Sequence, residues 1–416
     1  MQGISPRSRR NKMQTFTGRE YLKIDIANNY GLDKKDWDER IAWFDRNEHN
    51  LGALIKEADE PALFYAGVKA WQEVKAGNPI GYPIALDATS SGLQILACLT
   101  GDRQAAELCN VVNYCEDGKP KRRDGYTVIY KAMLAVLGES GRIKRNDCKD
   151  AIMTALYGSE AMPKQVFGEG ILLKVFENTM EEKAPAVWEL NKFWLQCGNP
   201  EATAYHWVLP DGFNAHIKVM VPEVQTIEFL NKTYDVTRMV QGVEEKTRML
   251  SANTTHSIDG MIVREMVRRC SYDPNLIKFV KQLCYGVSNS TVTIEGNQEK
   301  VEELWAYYQE TGYLSARIFD YLDAGTIHLV DRAVIMELID SLPAKPFKVL
   351  TVHDCFRCLP QYGNDLRRQY NIQLATIAKS DLLSFIMSQV LGEKVTIGKL
   401  DPDMWKDVMD AEYALS

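Results

Sequence analysis

FKVLTVHDCFRCL, residues 347–359, sets β-branched and apolar residues on both sides of one polar pair, the pattern of a hairpin whose tip carries His353 and Asp354. A second apolar run, YPIALD (82–87), also ends on a carboxylate, Asp87, and is followed by TSSG and the apolar LQILACL of a helix. Two short strands that each deliver an aspartate, in a chain whose remaining pattern is mostly helical, predict an α+β architecture. Asp87 and Asp354 then meet at a sheet edge beside a cleft. Taken singly, Asp87 reads as a helix N-cap and Asp354 as a turn residue.

Between the two strands, residues 125–138 and 145–157 read as helices. Residues 169–196 have helical spacing that Pro185 breaks or kinks, and HWVLPDGFNAHIKVMV (206–221) reads as a hairpin around Pro210, Asp211 and Gly212. The stretch RNDCKDAIMTALYG (145–158) carries the chemistry. Arg145 and Lys149 lie one helical turn apart on one face and can reach the same triphosphate. Each further step of four rotates about 40° around the helix, which displaces Tyr157 from the cations. Gly158 ends or bends the helix and lets a base or template strand approach. Phosphoryl or nucleotidyl transfer needs such cations together with Mg²⁺ held by carboxylates, which Asp87 and Asp354 supply. The plainer alternative is a helix-surface pair and a core tyrosine.

Composition bounds the rest. The chain has 416 residues, 45% of them hydrophobic, enough for a substantial core in one to three domains. No run of about 18 apolar residues marks a membrane span, and MQGISPRSRRNK lacks the apolar segment of a secretory signal, so a cytoplasmic location is expected. That opening is basic and polar, a tail without a catalytic role, and Met13 after it is a second candidate start. Nine cysteines, an odd count without a double pair, indicate reduced thiols. Cys355 and Cys358 form a C-x-x-C that reads as buried thiols in a strand pair, since no second pair completes a zinc site. A net charge of −7 argues against a sequence-independent nucleic-acid coat. Three basic runs stand out: Lys119, Lys121, Arg122 and Arg123; Arg142, Lys144, Arg145 and Lys149; and Arg264, Arg268 and Arg269. By themselves they read as solvated helix faces.

DATSSGLQ, R-x-x-x-K-x-x-x-M-T-x-x-Y-G and VHDC, in that order, resemble motifs A, B and C of the single-subunit, phage and mitochondrial type of DNA-dependent RNA polymerase. GREYLKIDIANNYGLDK, HWVLPDGF, ANTTHSIDG and the C-terminal DAEYALS extend the resemblance over residues 18 to 416. It implies a right-hand polymerase, with palm and fingers in this chain and the N-terminal domain and thumb absent from it. The implied division is a tail at 1–17, palm with motif A at 18–124, and fingers with the motif B helix at 125–204. A hairpin region follows at 205–256, and palm with motif C at 257–416, including an insertion around 271–340 and a C-terminal foot. Residues 213–250 would correspond to the hairpin that reads promoter bases.

The resemblance also assigns roles. Asp87 and Asp354 would bind two Mg²⁺, with the backbone carbonyl of Ala88 near a metal. Arg145 and Lys149 would hold the triphosphate, Lys149 also donating a proton to pyrophosphate, with Gly158 beside the nucleotide. Tyr157 would select ribose, His256 would contact the hybrid, His353 would lie against the primer end, and Lys23 would add a phosphate contact. Ordinary structural histidines are the alternative for His256 and His353. Ala88 and Ile95 depart from a common glycine and histidine of the family, Asp150 follows Lys149 where some phage enzymes carry a cation, and YALS only partly matches the usual foot. The implied partners are a DNA template, an RNA product, ribonucleoside triphosphates, a promoter-opening factor and a second polymerase subunit supplying N-terminal domain and thumb. That division resembles the two-chain RNA polymerases of enquatrovirus-like podoviruses, of which this would be the larger, catalytic chain. Two rivals are a family A DNA polymerase and a catalytically silent nucleic-acid-binding scaffold. The first is opposed by DATSSGLQ, which lacks a ribose-excluding glutamate, and by HDC in place of HDE; the second by intact Asp87, Lys149, Tyr157 and Asp354.

Overall fold

Three short antiparallel strands form the centre of the computed structural model, which describes residues 13–138, 143–243 and 248–416. Arg142 and the tail at 1–12 lie outside the described residues. The strand order is Ile84–Asp87, Cys355–Cys358, Leu350–Val352, so the second apolar run pairs with the far arm of the HDC hairpin. Ile84 faces Cys358, Leu86 faces Phe356 and Asp87 faces Cys355. Ile84, Leu86, Phe356 and Cys358 are buried, which fixes that register because a slip by one residue would turn the buried pair of the slipping strand toward the cavity side. The hairpin turns at His353 and Asp354, with His353 held at φ +54°, a left-handed conformation that few non-glycine residues adopt.

The C-terminal segment lies against the strand on its other side. Ser416 N–H donates to Asp87 O at 2.9 Å and Thr89 N–H to Ala414 O at 3.3 Å. Helices enclose this sheet. Every residue of Ser91–Thr100 is buried, and Gly363–Lys379 buries most of its length against it. Gly18–Ala27 begins at a capping box in which Thr17 and Glu20 satisfy each other's backbone N–H groups. Arg145–Leu156 ends at Tyr157, and Gly158 turns the chain away at φ +81°. Pro185 separates Ile171–Lys183 from Pro185–Gln196, where a proline at the first helical position is tolerated. Ala204–Val208 and Asn214–Lys218 form the hairpin around Pro210–Gly212. A longer ribbon follows, Met220–Phe229 with Lys232–Gln241, whose side chains are nearly all exposed. No single helix among the described residues is long and apolar enough to cross a membrane.

Residues between Ile277 and Ile339 build a second hydrophobic cluster from Pro274–Tyr285, Asn297–Thr311 and Arg332–Asp340, apart from the main core. The expected boundary at 256/257 falls inside one helix, Arg248–Cys270. That helix also corrects the reading of its basic run as a solvated face. Arg264 and Arg268 both bind the buried carboxylate of Asp211, and Arg269, 2% exposed, donates to Gln369 and Ser341. A buried carboxylate held by two guanidiniums replaces the water each lost on burial. The run at 119–123 is likewise no helix face: Lys119–Lys121 is one strand of a small hairpin with Tyr114–Glu116. All nine cysteines are free, and six of them, Cys98, Cys109, Cys148, Cys270, Cys284 and Cys358, are buried.

The Arg367 guanidinium, 1% exposed, donates to the Gln14 carbonyl at 2.8 Å and to the Glu412 carboxylate at 2.9 Å. It ties the segment before Gly18–Ala27 and the C-terminal segment to Gly363–Lys379. Glu412→Ala leaves this charge buried without its carboxylate and is expected to destabilise the fold by about 3–5 kcal/mol. Urea unfolding of the two proteins at pH 7 measures it; a change below about 1 kcal/mol would contradict the assigned role.

Candidate active site

The sheet register brings together the two aspartates on which the sequence reading depends. Ala88 N–H donates to the Asp354 carbonyl at 3.2 Å, so the ends of the two strands are joined directly beside both carboxylates. Asp87 opens into a cavity of about 510 Å³, across which stand Arg145 and Lys149 from their helix. Burial, and secondarily the charge of Asp354, push the Asp87 carboxyl up to about 6, while Arg122 acts in the opposite direction. Two carboxylates held this close favour a bound cation or proton. The donor set, two carboxylates and adjacent carbonyls such as that of Ala88, is one of hard oxygens and fits Mg²⁺. The described residues hold no cluster of three or more His, Cys, Asp or Glu ligands, so phosphate oxygens and water would complete such a shell, as is usual for this ion.

Lys149 reaches the cavity with no carboxylate within 4 Å among the described residues. Arg145 is differently placed. Its guanidinium forms an ion pair with Asp124 and donates through Nε to Thr127 Oγ1 at 2.7 Å, while Asp124 also caps Gly125–Leu137. A phosphate reaching Arg145 therefore shares it with Asp124.

Tyr157 is packed on the helix after Asp87: a Cβ at Gly92 would lie 2.4 Å from its hydroxyl, so only glycine leaves room for the ring. The other side of the ring meets His256, with centroids 4.8 Å apart. Burial first, then the charges of Asp259, Tyr126 and Asp354, push the Tyr157 phenol up to about 12, so it remains a hydrogen-bond donor at neutral pH. His353 is exposed at the hairpin tip. The structure does not bring Lys23 to this cavity: it pairs with Asp45 at 2.6 Å and lies over Phe44 and Trp71.

Two residues further along the same helix sits a group the sequence reading passed over. Asp25, 2% exposed, accepts from Ala85 N–H and from the Tyr82 hydroxyl, each at 2.7 Å, and from Asn29 at 3.2 Å. It thus holds the strand that ends in Asp87. An acid between Ile24 and Ile26 in LKIDIA was the available signal. Asp259, one helical turn beyond His256, was also missed; burial and the nearby Asp354 charge push it up to about 6, opposed by His353.

A family model described as DNA-dependent RNA polymerase matches residues 12–183. The chain is similar to a probable DNA-directed RNA polymerase of Neurospora crassa, 32% identical over 162 residues that cover 34% of this chain and 18% of that protein. It aligns more widely with a probable DNA-directed RNA polymerase of Gelasinospora sp. (strain G114), 23% identical over 86% of this chain and 41% of the relative. A DNA-directed RNA polymerase of Pseudomonas phage phiKMV is 22% identical over 57% of this chain and 35% of its own length. The chain spans less than half the length of each of these relatives.

Asp25 gives the site a pH signature. Burial pushes its carboxyl up to about 6, above its ordinary value, so the folded protein holds this proton more tightly than the unfolded chain. Its contribution is fully present below about pH 4 and is lost as pH rises through 6, a change of about 3 kcal/mol. Asp25→Asn removes that dependence. Urea unfolding at pH 4 and pH 7 is expected to show a smaller pH difference in the variant than in the wild type, and equal differences would exclude the assignment.

Proposed function

We propose that this chain is one of the single-subunit RNA polymerases of the phage and mitochondrial type, and the catalytic subunit of a DNA-dependent RNA polymerase that adds ribonucleotides to RNA 3′ ends. The observation that carries this reading is the pairing of Asp87 opposite Cys355, which sets Asp87 against Arg145 and Lys149 in one cavity and joins the Asp354 backbone to Ala88 beside it. In this reading the sheet belongs to the palm, and Arg145–Leu156 to the fingers.

Asp87, Asp354 and the Ala88 carbonyl would hold two Mg²⁺. When bound, these ions lower the pKa of the RNA 3′-hydroxyl and neutralise charge on the leaving pyrophosphate. Lys149 holds the triphosphate and delivers a proton to pyrophosphate as it leaves. Arg145 adds a second cation while Asp124 fixes its orientation. Tyr157, wedged between Gly92 and His256, presents a protonated hydroxyl to the ribose and favours a substrate that bears a 2′-hydroxyl. His353, at the exposed tip beside Asp354, meets the primer end, and Gly158 leaves space beside the nucleotide.

The ribbon Met220–Gln241 is assigned to promoter reading. It carries three carboxylates, Glu223, Glu228 and Asp235, against two cations, Lys232 and Arg238, so base edges rather than phosphates are its targets. A second polymerase subunit with the thumb and N-terminal domain, and a promoter-opening factor, complete the proposal.

Primer extension on a single-stranded DNA template, by the chain with and without its co-purified partner, tests the reading. Mg²⁺-dependent ribonucleotide addition is expected, falling at least about a hundredfold in Asp354→Ala. Undiminished addition by that variant, or a preference for deoxyribonucleotides, would overturn the reading. Tyr157→Phe is expected to lower ribose over deoxyribose discrimination about tenfold, the worth of one hydrogen bond, in competition assays with both nucleotides. Unaltered discrimination would remove Tyr157 from that role.

A further inference from the structure

Arg122 enters the cavity from the small hairpin Tyr114–Glu116/Lys119–Lys121, on a turn fastened at both ends. Its own N–H donates to Asp36 Oδ1 at 2.8 Å, and Lys121 Nζ binds the other oxygen of that carboxylate at 2.7 Å. The next residue, Arg123, exchanges two backbone contacts with Asn110, of 2.7 and 2.9 Å, and Asn110 in turn donates to Thr89 Oγ1 at 3.3 Å, two residues after Asp87. The turn is therefore positioned relative to the aspartate strand before any ligand arrives.

The side chains on this turn differ. Arg123 is occupied, lying 3.8 Å from Glu107 and over the Tyr114 ring at 4.0 Å. Arg122 has only weak contacts, Nε with Ser416 Oγ at 3.3 Å and Nη1 with the Arg123 carbonyl at 3.5 Å, and no carboxylate within 4 Å among the described residues. Burial pulls its pKa down against the more distant charges of Asp33, Asp124 and Asp36. A guanidinium that has lost water without a close anion gains from one that enters the cavity.

We propose that Arg122 binds the triphosphate of the incoming nucleotide beside Lys149, as a further nucleotide-binding cation of this site. The inference rests on the polymerase reading and adds to it a residue outside the helix that carries Arg145 and Lys149. A fork of fixed donors suits phosphate oxygens, whereas Lys149 offers a point charge. With Arg145 shared by Asp124, Arg122 supplies a planar cation from another wall of the cavity.

The test compares wild type, Arg122→Ala and Arg122→Lys in the full chain with its co-purified partner. It uses single-nucleotide addition, primer binding, thermal unfolding, and calorimetric titration with Mg²⁺-tripolyphosphate as a probe independent of turnover. Arg122→Ala is expected to raise the nucleotide KM about 10- to 100-fold and to weaken tripolyphosphate binding similarly, with primer affinity and unfolding midpoint unchanged. Arg122→Lys restores part of both. An unchanged KM in an active variant overturns the inference, as does lost primer affinity at constant KM, which assigns the arginine to an RNA phosphodiester. Losses that track a lowered unfolding midpoint in both variants make Arg122 structural and also overturn it. If wild type binds tripolyphosphate through Arg122 but adds no nucleotide, the polymerase reading fails while the phosphate site stands.

Discussion

The register of one four-residue strand pair governs the site. Asp87 reaches the cavity because Leu86 and Ile84 are committed to the core opposite Phe356 and Cys358, and the same pairing places the HDC turn beside it. The hydrophobic core thereby sets the position of two charges that it does not contain. Asp25 holds this strand through Ala85, and Ser416 holds it on the side away from Cys355, so the strand is constrained along each edge.

Around this frame, charge is arranged by opposition rather than by local neutralisation. The charge of Asp354 raises the affinity of Asp87 for positive charge, and the cations that face Asp87 stand on a helix and a loop from separate parts of the chain. Asp124 moderates Arg145, so the cavity is neither simply acidic nor simply basic. This explains how a chain of net charge −7 presents cations where phosphates are expected to lie.

What could be read from the sequence was what short-range pattern encodes. Alternation and apolar runs located the strands, and steps of four from Arg145 through Lys149 and Met153 to Tyr157 located their helix. Contacts between distant segments were hidden. Asp25 and Lys23 sit two positions apart in one helix, and nothing local distinguishes the one that turns to the Asp87 strand from the one that pairs with Asp45. The basic runs were misread for the same reason: Asp211, 53 residues before Arg264 in the chain, decides that this run is a buried ion-pair seam. Arg122 depends on Asp36, 86 residues away, for its placement.

The second hydrophobic cluster enters and leaves the main body at nearly one point, where Phe347 N–H meets the Cys270 carbonyl at 2.7 Å. A segment whose ends already touch adds little loop-closure entropy to the fold that hosts it, whatever its length. Close ends alone would leave the module hinged on a narrow neck. Buried Glu265 accepts from Ser315 and from Ala316 N–H, and Arg317 donates to the Asp211 carbonyl, so a polar seam away from that neck holds it against the main body. Cutting the module out would leave Glu265 buried without these donors, which makes the seam, and not the neck, the part of the junction that couples the two clusters energetically.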